Sequence, residues 1–413
     1  MRLFKDDLSW SLPKEMTNEE YIKYLEGLFG EISPPSASLE DWRYGEVDEL
    51  DLRDFRCVNP QFQLEEDLLQ DWMTEWSSRG SNNFVNFAAI ADFKTVVFRG
   101  FQNNARLSIE PRDLYEPLVV ELSEPFETLS KALSPKTISL EIGEFDRVTP
   151  AFIALLGPTD ASAVVTRDLE VVVPDGKRAS VVIVREGGSS GDLYLDGIRA
   201  TVGKDSTLEL LILQNLNEYV WDITSYTSNV ASGGSLSSLT VSLGSNYSRL
   251  RTSCNLLERA AQARLKAAYI AGGDQTMEFR TFQNHMAPNT SSDLLYKGAV
   301  AGSSHSIYSG LIKIQKGARG SNAFQTNRNI VLSERSRADS VPNLDIEESD
   351  VKCSHASAVG PVDPEQRFYL ESKGIKTEVA EKMIVSGFFR DLFGSHSSID
   401  LSSLALKALE KKW

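Results

Sequence analysis

The sequence predicts a mainly β protein with helical regions at both ends, and three observations carry that prediction. From about Phe93 onward apolar residues recur with period two in short runs bounded by Gly, Ser, Asn or Asp. No strong helical period separates these runs, which argues against alternating strands and helices and for an all-β unit. Helix punctuation, in contrast, gathers near the two termini, at Thr17-Asn-Glu-Glu20, at Asp363-Pro364 and at Thr377.

Taken in order, Thr17-Asn-Glu-Glu20 is a capping box followed by Tyr21, Ile22, Tyr24, Leu25, Leu28 and Phe29, so a helix is predicted from Asn18 to Gly30. Pro34-Pro35 marks a loop, and the stripe Leu64, Leu68, Leu69, Trp72 and Trp76 predicts a second helix. Strand-like runs begin at Lys94 and Ala105. Residues 120–155 interrupt them with weaker, partly helical patterning. The series then resumes at 169–173, 179–184, 193–200, 208–213, 236–243, 277–282 and 307–314. Asp363-Pro364 supplies an N-cap with proline at the first helical position, and Gly374 fits the stop. Thr377 caps a helix with Ala380, Met383, Ile384, Phe388 and Leu392 on one face and Gly394 as its end, and a last helix runs from Ile399 to Lys411. The resulting division is an N-terminal helical region at 1–92, a β core at 93–358 and a C-terminal helical domain at 359–413. The pattern leaves sandwich, barrel and solenoid open. The runs extend over roughly 250 residues, long for one sandwich, yet show no strict repeat.

The 413 residues suffice for two to three domains. The net charge of -15, from 43 Lys and Arg against 58 Asp and Glu, repels phosphate backbones and anionic lipid. Nucleic acid and membrane surfaces are therefore poor partners. The local basic run Lys313, Lys316, Arg319, Arg328, Arg335 and Arg337 reads as a solvated face. Cys57, Cys254 and Cys353 are too few and scattered for a disulfide framework, which indicates a reducing compartment. With no signal-peptide core at the N-terminus and no run of eighteen apolar residues, a cytoplasmic location is expected.

The segment around Asp350-Val-Lys-Cys-Ser-His355 carries the chemistry. Side chains at i and i+2 leave the same face of a strand, so Cys353 and His355 are expected to project together, within reach of one ion or one partner surface. A free cysteine is often plain core, but a buried histidine demands a hydrogen-bond partner. Asp345, Glu347, Glu348 and Asp350 read as a solvated edge, with Leu344 and Ile346 pointing inward. An iron–sulfur cluster usually takes four protein ligands, mostly thiolates. Three cysteines separated by 197 and 99 positions do not supply them, so any cluster has to be shared with another chain. His285, His305 and His396 have no nucleophile or second ligand at a recognisable spacing. Neither Gly-x-Ser-x-Gly nor a phosphate-binding Gly-x-x-x-x-Gly-Lys-Ser/Thr loop occurs.

The same segment, with Ala287-Pro-Asn-Thr-Ser-Ser-Asp-Leu-Leu-Tyr-Lys-Gly298, Ser309-Gly-Leu-Ile-Lys-Ile-Gln-Lys-Gly-Ala318 and Ala323-Phe-Gln-Thr-Asn-Arg-Asn329, closely resembles the C-terminal part of SufD, the non-catalytic subunit of the Suf iron–sulfur cluster assembly system in the SufB/SufD family. Ala356-Ser357-Ala358 stands where Gly-Ala-Thr is often seen. The resemblance is strong over the last third of the chain and weak in the middle. It implies a right-handed parallel β-helix core and a complex of one SufB, one SufD and two SufC chains. SufB would meet the β-helix edge, with Cys353 and His355 at the interface contributing to a transient cluster, and no cluster would stay on this chain alone. Whether flavin binds the complex is not implied. The ATPase would be SufC, docked on the C-terminal helical domain, where Phe368, Tyr369, Phe388 and Phe389 are candidate anchors. An open strand edge also gives an isolated chain a route to a homodimer. SufB itself and a β-helix carbohydrate enzyme are the rival readings. Scarcity of cysteine disfavours the first, and the lack of a clear acidic catalytic cluster the second.

Overall fold

A computed structural model gives the structure of the chain. It describes residues 125–393 with short breaks, together with 86–90, 96–99, 105–111 and isolated positions between 42 and 55. The helices predicted at 18–30, near 64–76 and at 399–411 lie outside the described residues, as do Cys57 and His396.

In chain order the strands are β1 Asn86–Ile90, β2 Val96–Arg99, β3 Ala105–Pro111, β4 Lys136–Ile142, β5 Ala151–Leu156, β6 Val164–Val173, β7 Arg178–Gly187 and β8 Leu193–Val202. They continue as β9 Thr207–Leu216, β10 Trp221–Val230, β11 Ser235–Ser242, β12 Tyr247–Leu256, β13 Gln262–Ala271 and β14 Thr276–His285. The last are β15 Ser291–Val300, β16 His305–Ile314, β17 Asn322–Val331, β18 Arg337–Ile346 and β19 Lys352–Pro361. The helices are α1 Pro125–Leu133, α2 Pro364–Ser372 and α3 Thr377–Arg390. Sheet one runs β19-β17-β15-β13-β11-β9-β7-β5-β1-β2, and sheet two runs β18-β16-β14-β12-β10-β8-β6-β4-β3. From β5 onward successive strands alternate between the sheets, and each pairs in parallel with the strand two further on. The molecule is therefore mainly β, a parallel β-solenoid of about 7 turns.

Several strands fall where the pattern looked interrupted. Among the described residues of the 120–155 stretch only α1 is helical, and β4 and β5 already belong to the two sheets. β1 and β2 form an antiparallel hairpin across the boundary expected at 92.

Coil length varies, which hides the repeat. Asn255 Nδ2 donates to Asn229 Oδ1 at 2.9 Å and Asn284 Nδ2 to Asn255 Oδ1 at 2.8 Å, an amide ladder climbing three coils at sequence separations of 26 and 29. What recurs is the corner. Gly176, Asp205, Gly233, Ala260, Asn289 and Gly320 all have positive φ, between 53° and 73°. Where Asp205 and Asn289 take this left-handed conformation, their side chains lie over Gly233 and Gly320 of the next coil, and a Cβ at either glycine would strike them.

Between the sheets, the early coils bury Ile138, Leu140, Ile153, Leu169, Val171 and Val181. Charge follows. Arg167 reaches Asp196 at 2.7 Å, and Arg185 bridges Asp196 at 2.8 Å and Asp222 at 2.6 Å, so two guanidinium groups and two carboxylates neutralise one another inside the solenoid. The later coils hold an aromatic column, with Tyr269 on Phe279 at 4.4 Å, Phe279 on Tyr296 at 5.8 Å and Tyr296 on Tyr308 at 5.7 Å.

Helices cover the outer faces. On sheet two, α1 donates a hydrogen bond from Ser130 Oγ to Leu195 O at 2.6 Å. On sheet one, Val385 and Phe389 of α3 and Leu392 pack on a surface that includes Val184, Leu213, Val241 and Ala268. Asp363 caps α2 by accepting from Glu365 N at 2.9 Å, with Pro364 first in the helix, and Gly374 follows with φ of 85°. The described C-terminal helices are thus fastened to the solenoid and do not show a separate helical domain.

Candidate functional site at the open end of the solenoid

β18 and β19 end their sheets, each pairing with one strand only. In the parallel register Cys353 stands over Ala323, and His355 over Gln325. Ala323 and Gln325 are both buried. In-register pairing keeps a column of side chains on one side of the sheet, so Cys353 and His355 project together toward the lumen. No described coil lies above β19, so Cys353 is only half-buried and His355 is exposed.

Leu344 and Ile346 stand in the same way over the fully buried Ile312 and Ile314. They point inward, as their alternation with Asp345 and Glu347 predicts, yet remain exposed, as does Val359. The terminal coil has lumen-facing side chains with no rung above to shield them among the described residues.

Cys353 and Val351 pack against Ile312, Ile314, Ala318 and Ala323. This partial burial pushes the Cys353 thiol above its ordinary pKa. The carboxylates nearby have other work. Glu348 accepts the backbone N–H of Gly317 at 3.1 Å, of Ser349 at 2.9 Å and of Asp350 at 3.4 Å, and these bonds hold its carboxyl below the usual range. Glu347 accepts from Lys316 N at 3.4 Å, and Asp345 pairs with Lys313 at 3.3 Å. Arg337 likewise pairs with Asp339 at 2.7 Å, so part of the basic run is neutralised locally. Among the described residues no three His, Cys, Asp or Glu side chains gather closely enough to hold a metal ion. Cys353 and His355 stand two positions apart on one strand, with no third such side chain gathered beside them among the described residues.

The other described histidines have local duties. His305 Nε2 lies 2.9 Å from Asp339 Oδ2. His285 is fully buried, with Nδ1 2.7 Å from Thr290 Oγ1 and Nε2 2.8 Å from Ser292 Oγ, and burial lowers its pKa to about 4. Sequence reasoning missed this buried polar cluster, because Ser292 and Thr290 look like corner residues until the register places them inside.

The four aromatic candidates on the C-terminal helices divide. Phe389 is buried against sheet one, and Phe388 is half-buried. Lys297 Nζ lies 4.5 Å from the Phe388 ring centre and donates to Phe388 O at 2.7 Å. Those two therefore anchor α3 to its own solenoid. Phe368 and Tyr369 of α2 remain exposed, at 71% and 61%. Of the predicted apolar face, Ala380 and Leu392 are buried and Met383 is exposed, while Val385 and Phe389 take buried positions that the pattern did not assign.

Fold and site together define a β-solenoid with a thiol and an imidazole at an unpaired strand end. The profile described as SUF system FeS cluster assembly, SufBD core domain, matches residues 157–388. An iron-sulfur cluster assembly SufBD family protein of Mycobacterium tuberculosis is 31% identical over 271 residues, covering 64% of this chain and 67% of that protein. One of Mycobacterium leprae is 32% identical over 270 residues, covering 63% and 68%. The iron-sulfur cluster assembly protein SufD of Bacillus subtilis is 35% identical over 147 residues, 36% of this chain and 34% of that protein. The chain belongs to the SufBD family of iron–sulfur cluster assembly proteins.

Proposed function

We propose that this chain is the SufD-type scaffold subunit of a cytoplasmic SufB–SufC–SufD complex, contributing Cys353 and His355 to a nascent cluster shared with SufB across the open end of the solenoid. The observation that carries this reading is the placement of both side chains on the lumen-facing column of a terminal strand whose outer edge is unpaired. A partner strand added at that edge would cover Leu344, Ile346 and Val359 and bring its own donors to Cys353 and His355. The 35% identity to a protein named SufD, over 36% of this chain, supports the SufD-type reading. Among the described residues the ligand pair is also too small to retain a cluster unaided.

The chain itself is non-catalytic in this reading, and the ATPase is SufC. Phe368 and Tyr369 are the aromatic anchors available for docking it. Approach of two SufC chains on ATP strains the SufB–SufD boundary and opens the site. That shift requires ATP-bound SufC to bind the opened state more tightly.

The test is His355→Ala in the assembled complex. Folding and co-purification of the partners are expected to be unchanged, and cluster formation followed by visible absorption is expected to fall sharply. Normal cluster formation by that variant overturns the role of His355. A stable cluster reconstituted on the isolated chain would instead favour the SufB reading.

A further inference from the structure

Gln325 occupies the lumen-facing column directly beneath His355 and is 1% exposed. Its Oε1 and Nε2 both lack a hydrogen-bond partner. A buried primary amide with neither end satisfied is exceptional, because nearly all buried polar atoms in folded proteins are bonded. The amide reaches this position through a glycine: a Cβ at Gly310 would strike both Gln325 Nε2 and Tyr308 Oη. Tyr308 Oη is bonded to Thr281 Oγ1 at 2.9 Å, whereas Ser340 Oγ, in register with Tyr308 one coil nearer the open end, is also unpartnered.

The pair above this amide is short of ligands. First-row divalent ions take four or more donors, and the carboxylates near Cys353 and His355 are occupied by backbone N–H groups and by Lys313. We infer that Gln325 is a third side chain of the site, its amide oxygen binding the inner side of a divalent iron ion held by Cys353 Sγ and the His355 imidazole. This deepens the function proposed above and rests on its assignment of Cys353 and His355. Sulfur, nitrogen and amide oxygen make a donor set suited to a borderline cation. Neighbouring rungs are about 4.8 Å apart, so an imidazole and the amide stacked beneath it can converge on one ion. No bond of the Gln325 side chain has to break when the ion arrives, since it makes none.

Co(II) is the probe, titrated anaerobically into the full chain and followed through ligand-field and sulfur-to-cobalt charge-transfer absorption. Gln325→Leu, similar in size, is expected to keep the parent's melting temperature and weaken Co(II) binding by about tenfold or more, with shifted ligand-field bands. Gln325→Glu preserves an oxygen donor and is expected to bind at least as tightly as the parent. Gln325→Asn keeps the amide but not its reach, and is expected to weaken binding even if the leucine variant does not fold. If these variants match the parent in affinity and spectrum while His355→Ala loses both, Gln325 is no ligand and the Cys353–His355 site stands. If the parent binds no Co(II), or His355→Ala binds as the parent does, the metal site itself falls and Gln325 with it.

Discussion

His285 shows how a single side chain couples this lumen to pH. Its ring is bonded at both nitrogens to hydroxyl groups and surrounded by protein, so the neutral form is favoured and the folded-state pKa lies at about 4, against 6.5 for an ordinary histidine. The unfolded chain therefore binds this proton more readily than the folded one. The sign follows: stability is intact above pH 6.5, erodes as pH falls toward 4 and is fully forfeited below that, by about 3 kcal/mol. His285→Gln removes the titration while keeping a side chain able to bond Ser292 or Thr290. At pH 7 it is expected to be less stable than the parent by about 1 kcal/mol for the lost hydrogen bond. Melting temperatures measured from pH 7 to pH 4 should then converge and cross. Parallel pH profiles would show that His285 accepts a proton without penalty.

At the scale of the element, α3 is held by a few buried side chains, and this sets where the C-terminal region yields first. Phe389 sits in the apolar surface of sheet one, and the last turn is tied down by Lys266 Nζ on Leu392 O at 2.7 Å. Phe389→Ala is expected to cost about 3–5 kcal/mol of that docking. Trypsin should then cleave at Lys382 and Arg390 under conditions where the parent resists, with the β signal in circular dichroism unchanged. Phe368→Ala, at an exposed position, is expected to leave the proteolytic pattern as it was. The same contrast explains what could be read in advance. Asp363-Pro364 and Gly374 bound α2 through local chemistry, which a sequence displays directly, whereas Thr377 is the first residue of α3 and Lys376 O accepts its first bonds. Which face of α3 is buried depends on a sheet assembled from residues as distant in sequence as Phe152 and Val184, so Val385 and Phe389 could not be distinguished from Met383 and Phe388. Strands β10 and β12 were hidden for a related reason. Trp221–Val230 and Tyr247–Leu256 carry Ser and Thr on both faces, with bonds between coils such as Asn255 to Asn229 and Ser248 to Asp222. Alternation of apolar and polar residues is then no guide. The Cys353–His355 pair was legible because its geometry needs only one strand; Gln325 beneath it became visible only through the register of two.

For the whole molecule, the decisive property is that a solenoid has ends, and among the described residues nothing covers the backbone edge or lumen side chains at the C-terminal end. Lys352 N donates to Ser321 O at 2.9 Å, toward β17. Because successive N–H groups of a strand point to opposite sides, those of Cys353, His355, Ser357 and Val359 face the unpaired edge. Proline at Ser357 would remove one outward donor and no bond to β17, whereas proline at Ala356 would break the internal ladder. Ser357→Pro is therefore expected to melt with the parent, and Ala356→Pro to melt earlier. If a SufB-type chain adds its strand here, Ser357→Pro should weaken that association on the order of tenfold, through one lost backbone bond and a disturbed edge. Analytical ultracentrifugation of the mixed subunits, with the isolated chain run beside it, measures this and also reports any self-association through the same edge. Full-strength association by Ser357→Pro would mean that the partner meets the solenoid through side chains or another face. The site at Cys353 and His355 would then face solvent in the complex, and the shared-cluster reading would lose its geometric basis.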